Sequence, residues 1–234
     1  MTEVLDNAAW ASLTGPHAHF AEGTGRALRY PANVSPIVAI APEQDERVWA
    51  DLLHLVGPDA LVLLGNEVSS LPDGWRVEFH GDGLQFVATD ALESRPSTEV
   101  VTLGAADVPE MLDLVARTEP GPFEARTYQL GTYLGIRRDG VLAAMAGERM
   151  HPPGWTEISA VCTHPAYRGH GLATTLVRAV AHGIRERGET PFLHAAADNT
   201  DAVRLYLSLG FAIRRKPRFS VLRSPASAPT GVPR

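Results

Sequence analysis

Cysteine is all but missing from this sequence: Cys162 stands alone among 234 residues. No internal disulfide can form, and a reducing compartment suits the chain. An excess of positive charge is missing too, since 21 Lys and Arg face 27 Asp and Glu for a net charge of -6. That excludes the basic footprint of a protein that grips phosphate backbones, so nucleic acid is not an expected partner. Long hydrophobic runs are absent as well. The apolar stretches at 60–64 and 141–146 fall far short of the roughly 20 residues a membrane helix needs, so no membrane partner is expected. The opening Met-Thr-Glu-Val-Leu-Asp lacks the basic start and apolar run of a secretory leader, which points to the cytoplasm. No fixed-period repeat is present.

What is there is enough for a sizeable core. Hydrophobic residues make up 44% of the chain, and at about 100–200 residues per domain a division into two is the natural reading. The polar, turn-forming stretch Glu93-Ser94-Arg95-Pro96-Ser97-Thr98 marks the expected boundary. It separates an N-terminal α/β domain over 1–95 from a second domain over 98–223. The Ser-, Pro- and Ala-rich residues 224–234 read as a disordered tail. In the N-terminal part we expect a helix near 47–56 and strands at 37–40, 60–64, 75–79 and 84–88. Its Gly23-Thr24-Gly25 and the pair His17 and His19 lack a strand-to-helix or metal-ligand setting, so they read as loop residues and no metal is expected.

The second part is more orderly. A strand at 100–103 leads to a helix from Asp107 with Val108, Met111, Leu112 and Val115 on one face. A second helix is expected over 123–130, then a hairpin of strands 133–136 and 141–145 around Asp139-Gly140, a dipeptide suited to tight hairpin turns. A strand over 156–163 stops at His164-Pro165, where proline has no amide to donate. A long amphipathic helix follows, with Leu172, Leu176, Val177, Val180, Ala181 and Ile184 on its apolar face, and ends near Arg187-Gly188. A strand at 192–196, a helix at 201–209 closed by Gly210, and strands at 211–214 and 219–222 complete the pattern.

Chemistry concentrates at Arg168-Gly169-His170-Gly171-Leu172-Ala173, between the end of a strand and the start of the long helix. Glycines there let backbone approach a ligand, while the unpaired amides and positive dipole end of the first helical turn favour bound phosphate. Six such residues alone are more often a glycine-rich turn that merely begins a helix. Further along, Asn199 stands at a strand-to-helix junction, with Tyr206 inside the short helix and Gly210-Phe211 after it.

With these residues the sequence resembles the GNAT superfamily of N-acetyltransferases. Arg168, Gly171 and Ala173 match its arginine-or-glutamine, two residues, glycine, one residue, glycine-or-alanine motif, and the segments 161–167 and 199–211 look like its fourth strand and its asparagine, tyrosine, glycine-phenylalanine region. The resemblance covers about 99–223. It implies an α/β fold with a mixed, mostly antiparallel central sheet flanked by helices, preceded here by a smaller α/β domain that could be a degenerate half of the same fold. It implies acetyl-CoA as acyl-donor substrate, in a splay between the fourth and fifth strands. The pantetheine would pair with backbone at Val161, Cys162 and Thr163, and the pyrophosphate would rest on amides of Arg168, Gly169, His170, Gly171, Leu172 and Ala173, with Asn199 and Tyr206 also on the cofactor. The reaction would be direct transfer to a primary amine, with Tyr206 as the acid for the departing thiolate. Tyrosine on a short amphipathic helix is otherwise usually a core residue.

The general base is open among Glu157, Glu148, His194 and water; the carboxylates have plain alternatives as strand-end charges, and His194, standing where several relatives carry glutamate, as a structural histidine. Cys162 reads as a small buried residue rather than a nucleophile. The acceptor expected is a small-molecule or peptide amine, with only a slight lean to a cationic one from the net charge, and a homodimer is among the states allowed. The rival readings are transfer of a longer acyl group and a non-catalytic acyl-CoA sensor.

Overall fold

The computed structural model describes residues 2–68 and 70–226. Its strands are β1 (Ala27–Arg29), β2 (Ile37–Ile40), β3 (Leu61–Leu64), β4 (Arg76–Ala88), β5 (Val100–Leu103), β6 (Tyr133–Arg138), β7 (Val141–Glu148), β8 (Trp155–Thr163), β9 (Thr190–Ala196), β10 (Phe211–Arg215) and β11 (Arg218–Arg223). Its helices are α1 (Ala8–Leu13), α2 (Glu46–Val56), α3 (Val108–Thr118), α4 (Leu172–Glu186) and α5 (Thr200–Leu209). Local signals account for many of the ends. Asp45 accepts hydrogen bonds from the amides of Arg47 and Val48 and so starts α2, whose Val48, Trp49 and Leu52 are buried. Asp139 and Gly140 take left-handed conformations, φ 50° and 82°, and close the β6–β7 hairpin as that dipeptide predicts.

The strands form one sheet in the order β1-β2-β3-β11-β4-β9-β8-β7-β6-β5, with β10 paired to β4. Pairing is antiparallel except for β2 with β3 and β8 with β9, which gives the mixed, mostly antiparallel sheet expected. Helices α3 and α4 cover its two faces: Met145 of β7 packs with Met111 and Leu114 of α3, whereas Ala144 and Ala146 pack with Leu176, Val177 and Val180 of α4. The alternation is that of a strand buried on both sides.

Four expectations change in the folded chain. The strands expected at 75–79 and 84–88 are one strand, β4: one edge pairs with β11 over Arg76 to Asp82 and then with β10 over Gln85 to Ala88, and the other pairs with β9 over Gly83 to Val87. A Cβ at Gly83 would sit 2.3 Å from the Phe219 ring, so glycine leaves room for that ring. The boundary near residue 95 is consequently no division of the sheet, because β4 from before it lies between β9 and β11 from after it. The helix expected over 123–130 shrinks to a single 3-10 turn, Thr127–Leu130. The Thr127 hydroxyl accepts from the Glu124 amide (2.7 Å) and donates to the Val34 carbonyl (2.6 Å), tying this segment to the N-terminal half. The tail is bound at its start: buried Ser224 donates to the Gly57 carbonyl and accepts from the Ala60 amide, while 227–234 lie outside the described residues.

His17 also joins the halves. Its Nε2 donates to the Leu130 carbonyl (3.1 Å), its Nδ1 accepts from the Tyr30 hydroxyl (3.0 Å), and burial, aided by His151, pushes its pKa down to about 3. It stays neutral and structural, and among the described residues no His, Cys, Asp and Glu cluster could hold a metal.

Residues 98–226 expressed alone should lack a cooperative thermal transition, because β9, β10 and β11 lose β4. Circular dichroism with calorimetry on the fragment and the full chain tests this; cooperative unfolding of the fragment would show that the halves are independent.

Candidate functional site

Strands β8 and β9 run side by side only from Trp155↔Thr190 to Ile158↔Leu193. Beyond that fork β9 stays with β4 as far as Ala196↔Gly83, and β8 stays with β7 as far as Thr163↔Ala144. A bulge drives the divergence. Between the pairs Met145↔Cys162 and Gly147↔Ser159, β8 carries one residue more than β7, and Ala160 sits at φ 51°, a left-handed conformation that costs a non-glycine residue on the order of 1–3 kcal/mol. The edge of β8 from Ser159 to Thr163 is thereby turned towards a cleft of about 760 Å3.

The glycine-rich loop closes one end of this cleft. Gly169 and Gly171 adopt φ 80° and 73°, and a Cβ built on either would meet nothing within 4 Å, so their surroundings are open to a guest. Gly171 is the N-cap of α4, which leaves first-turn amides without intrahelical acceptors at the positive end of the dipole. Arg168, Gly169, Gly171, Leu172 and Ala173 border the cleft together with Val161, Cys162, Thr163, His194, Asn199 and Tyr206. His170 does not: its ring Nδ1 donates to the Tyr167 carbonyl at 3.2 Å. The Asn199 side-chain oxygen is committed to capping α5, accepting from the Ala202 amide at 3.1 Å.

Tyr206 comes from α5 with its ring edge-on to Phe86 and Phe211. Burial, with Cys162 adding to it, pushes its pKa up to about 12, so the hydroxyl keeps its proton throughout the physiological range. Burial likewise pushes the Cys162 thiol up to about 11, which leaves little thiolate and agrees with a packing residue.

The three base candidates end up in different places. Glu148 does not border the cleft; it is buried beneath Arg187, whose guanidinium donates to it at 2.9 Å, and also accepts from the Thr132 amide. Glu157 is fully buried, with 0% of its side chain exposed, and receives two hydrogen bonds from Arg149 (2.8 and 2.7 Å) and one from His194 Nδ1 (2.7 Å). Burial alone would raise its pKa, but the Arg149 charge, the Arg149 hydrogen bonds and His194 outweigh that and hold it down at about 2. An ionised carboxylate with both oxygens engaged is a poor proton acceptor, which weighs against Glu157 as the base.

His194 does reach the cleft, but neither ring nitrogen is free. The reason starts at Arg214, a permanent donor, which donates to Asp6 (2.6 Å) and to the Gln85 oxygen (2.6 Å). The Gln85 amide nitrogen must then donate, to the Leu5 carbonyl (2.9 Å) and to His194 Nε2 (3.0 Å). With Nε2 accepting, Nδ1 carries the proton and gives its hydrogen bond to Glu157.

Sequence reading missed Arg149, Gln85 and Phe219, along with a whole wall of the cleft supplied by Ile37 and 63–65. Arg149 had one signal, its place across the Pro152-Pro153-Gly154 turn from Glu157. The others depend on β4 and β11 crossing between the halves, which no local pattern encodes.

Glu157→Gln leaves the Arg149 charge buried without its partner and should cost roughly 3–5 kcal/mol of stability. Because the Glu157 pKa lies below its unfolded value, its contribution is present above about pH 4.5 and is lost as pH falls towards about 2. Chemical denaturation across that range should show the loss in the parent protein and not in the variant; identical pH profiles would remove the pair from the stability of the fold.

Comparison with known proteins agrees with this geometry. Residues 133–220 match the family described as FR47-like protein. N-alpha-acetyltransferase RimI of Mycobacterium tuberculosis is 34% identical over 128 residues, which span 49% of this chain and 80% of that protein. Mycothiol acetyltransferase of Corynebacterium glutamicum is 42% identical over 66 residues, only 28% of this chain and 23% of that enzyme. Among solved structures, a protein from Novosphingobium aromaticivorans assigned to the GNAT acetyltransferases shares 41% identity with a TM-score of 0.86, covering 94% of this chain and 98% of that one. With a forked parallel strand pair, a glycine loop at a helix start and two of these relatives matched over 80% and 98% of their length, the chain belongs to the GNAT family of acyl-CoA-dependent N-acetyltransferases.

Proposed function

We propose that this protein moves an acetyl group from acetyl-CoA directly to the primary amine of a small molecule or peptide. The observation that carries the reading is the fork. Backbone of β8 from Ser159 to Thr163 has lost β9 as a neighbour and borders the same cleft as the α4 N-terminus and Tyr206. Val161, Cys162 and Thr163 would pair with the pantetheine of the donor. Amides of the 168–173 loop would receive its pyrophosphate, and the open space at Gly169 and Gly171 fits that role. Asn199 would border the donor while capping α5.

The donor contributes an activated acyl thioester, and the protein's residues do the rest. A backbone amide of β8 steadies the oxyanion that forms on the carbonyl. Tyr206 gives its proton to the departing thiolate; a phenol held protonated by burial suits an acid that must not ionise beforehand. The commitment of Glu148, Glu157 and both nitrogens of His194 to other partners supports an amine that binds as the free base and releases its proton to water.

Tyr206→Phe keeps the ring and its packing but removes the proton. Turnover, followed as thiol release, should fall about 10²–10⁴-fold with little change in acetyl-CoA affinity; a modest loss of stability with normal turnover would make Tyr206 a packing residue. The pH dependence separates water from a fixed base. For two acceptors of different amine pKa, the rising limb of kcat/KM should move with the acceptor. A limb at the same pH for both acceptors, lost in His194→Ala, would make His194 the base.

A further inference from the structure

Another wall of the cleft has a different character. It is built by Ile37 of β2 and by Leu63 and Leu64 of β3 running into Gly65, all from the N-terminal half, together with Phe219 of β11 and Met150 from the C-terminal half. Phe219 stands edge-on to the His194 ring, with centroids 5.8 Å apart, in the space that Gly83 leaves open. The polar groups beside this wall are Arg149 and His194. The Arg149 charge is matched by Glu157, and the two nitrogens of His194 are held by Glu157 and Gln85. Among the described residues the carboxylates nearest this wall are all engaged: Glu157 has no exposed side-chain surface, and Asp6 and Glu67, which line an adjoining cavity with Leu64, Gly65, His194 and Phe219, are paired with Arg214 and Arg215.

The other carboxylates of the cleft lie elsewhere. Asp201 is in the first turn of α5 beside Asn199, at the donor end. Glu119 is exposed and follows Thr118, whose side chain reaches Cys162. The net charge of -6 is thus not expressed on this wall.

We infer that the acceptor is a monoamine on an apolar, uncharged body, alkyl or aryl, rather than a polyamine or an aminoglycoside. The inference rests on the acetyl-transfer reading. One amine suffices for attack, and a surrounding of low polarity favours its neutral, nucleophilic form. A second ammonium would give up its hydration without finding a counter-charge and would meet Arg149 instead.

Hexylamine and hexamethylenediamine make a matched pair, equal in length and differing by one ammonium. In thiol release from acetyl-CoA by the full chain, hexylamine should have a kcat/KM about tenfold or more above that of the diamine, with spermidine and kanamycin poorer still. Leu63→Glu, which adds a carboxylate to the wall, should narrow or reverse that preference. A parent enzyme that uses the diamine or spermidine as well as hexylamine would overturn the inference while leaving acetyl transfer intact. If the protein binds acetyl-CoA by calorimetry yet turns over no amine, the acetyl-transfer reading fails instead. The wall is then tested by titrating both amines into the CoA-bound protein, where equally tight diamine binding would overturn the assignment.

Discussion

The buried charge of Glu157 organises this molecule. Glu157 lies on β8 with no exposed side-chain surface, and an isolated carboxylate there would be prohibitively costly. It is tolerated because Arg149 and His194 give it three hydrogen bonds. The polarity of these bonds propagates outward. Arg149 can only donate, Glu157 only accepts, and at the far end Arg214 only donates, so His194 and Gln85 between them have one arrangement that satisfies every atom. The chain ends at Asp6 and at the Leu5 carbonyl, which ties the first residues of the N-terminal half to β4 and β10.

That network explains why the halves are not separable units in the sheet. It crosses β8, β9, β4 and β10, and β4 is the strand that both halves share. The cleft depends on the same arrangement from the other direction: β9 is held by β4 while β8 is held by β7, and the bulge at Ala160 lets the two part. A cleft opened within a sheet leaves backbone groups unpaired, a condition that water or a bound ligand must relieve. The α4 N-terminus offers a second set of unpaired amides at the mouth of the same opening.

The donor side of the cleft and its apolar wall are built by different means. Backbone dominates the first, through the β8 edge and the glycine loop, as suits a donor with many polar atoms. Side chains dominate the second, from β2 and β3 of the N-terminal half and from β11 and Met150 of the C-terminal half, so both halves shape whatever enters from that direction. An architecture of this kind keeps one constant and varies the other, because residues such as Leu63 and Phe219 can change without touching the glycine loop.

Much of this was legible in the linear chain. The hairpin at Asp139-Gly140, the apolar stripe of α4, the stop at His164-Pro165 and the 168–173 loop follow from backbone preferences acting over a few residues, and these signals survive into the fold because nothing distant opposes them. Tyr206 and Asn199 were singled out by the resemblance to the GNAT superfamily. Three features were decided only by tertiary structure. Residues 123–130 gave up a helix because Thr127 is bonded to Val34, ninety-three positions away in sequence. Glu157 could not be told from an ordinary strand-end acid until Arg149 and His194 closed on it, since burial and charge pairing are properties of the assembled sheet. The contribution of the N-terminal half to the cleft emerged only when β4 and β11 crossed, because strand order is set by which faces must be buried together and not by any pattern along the chain.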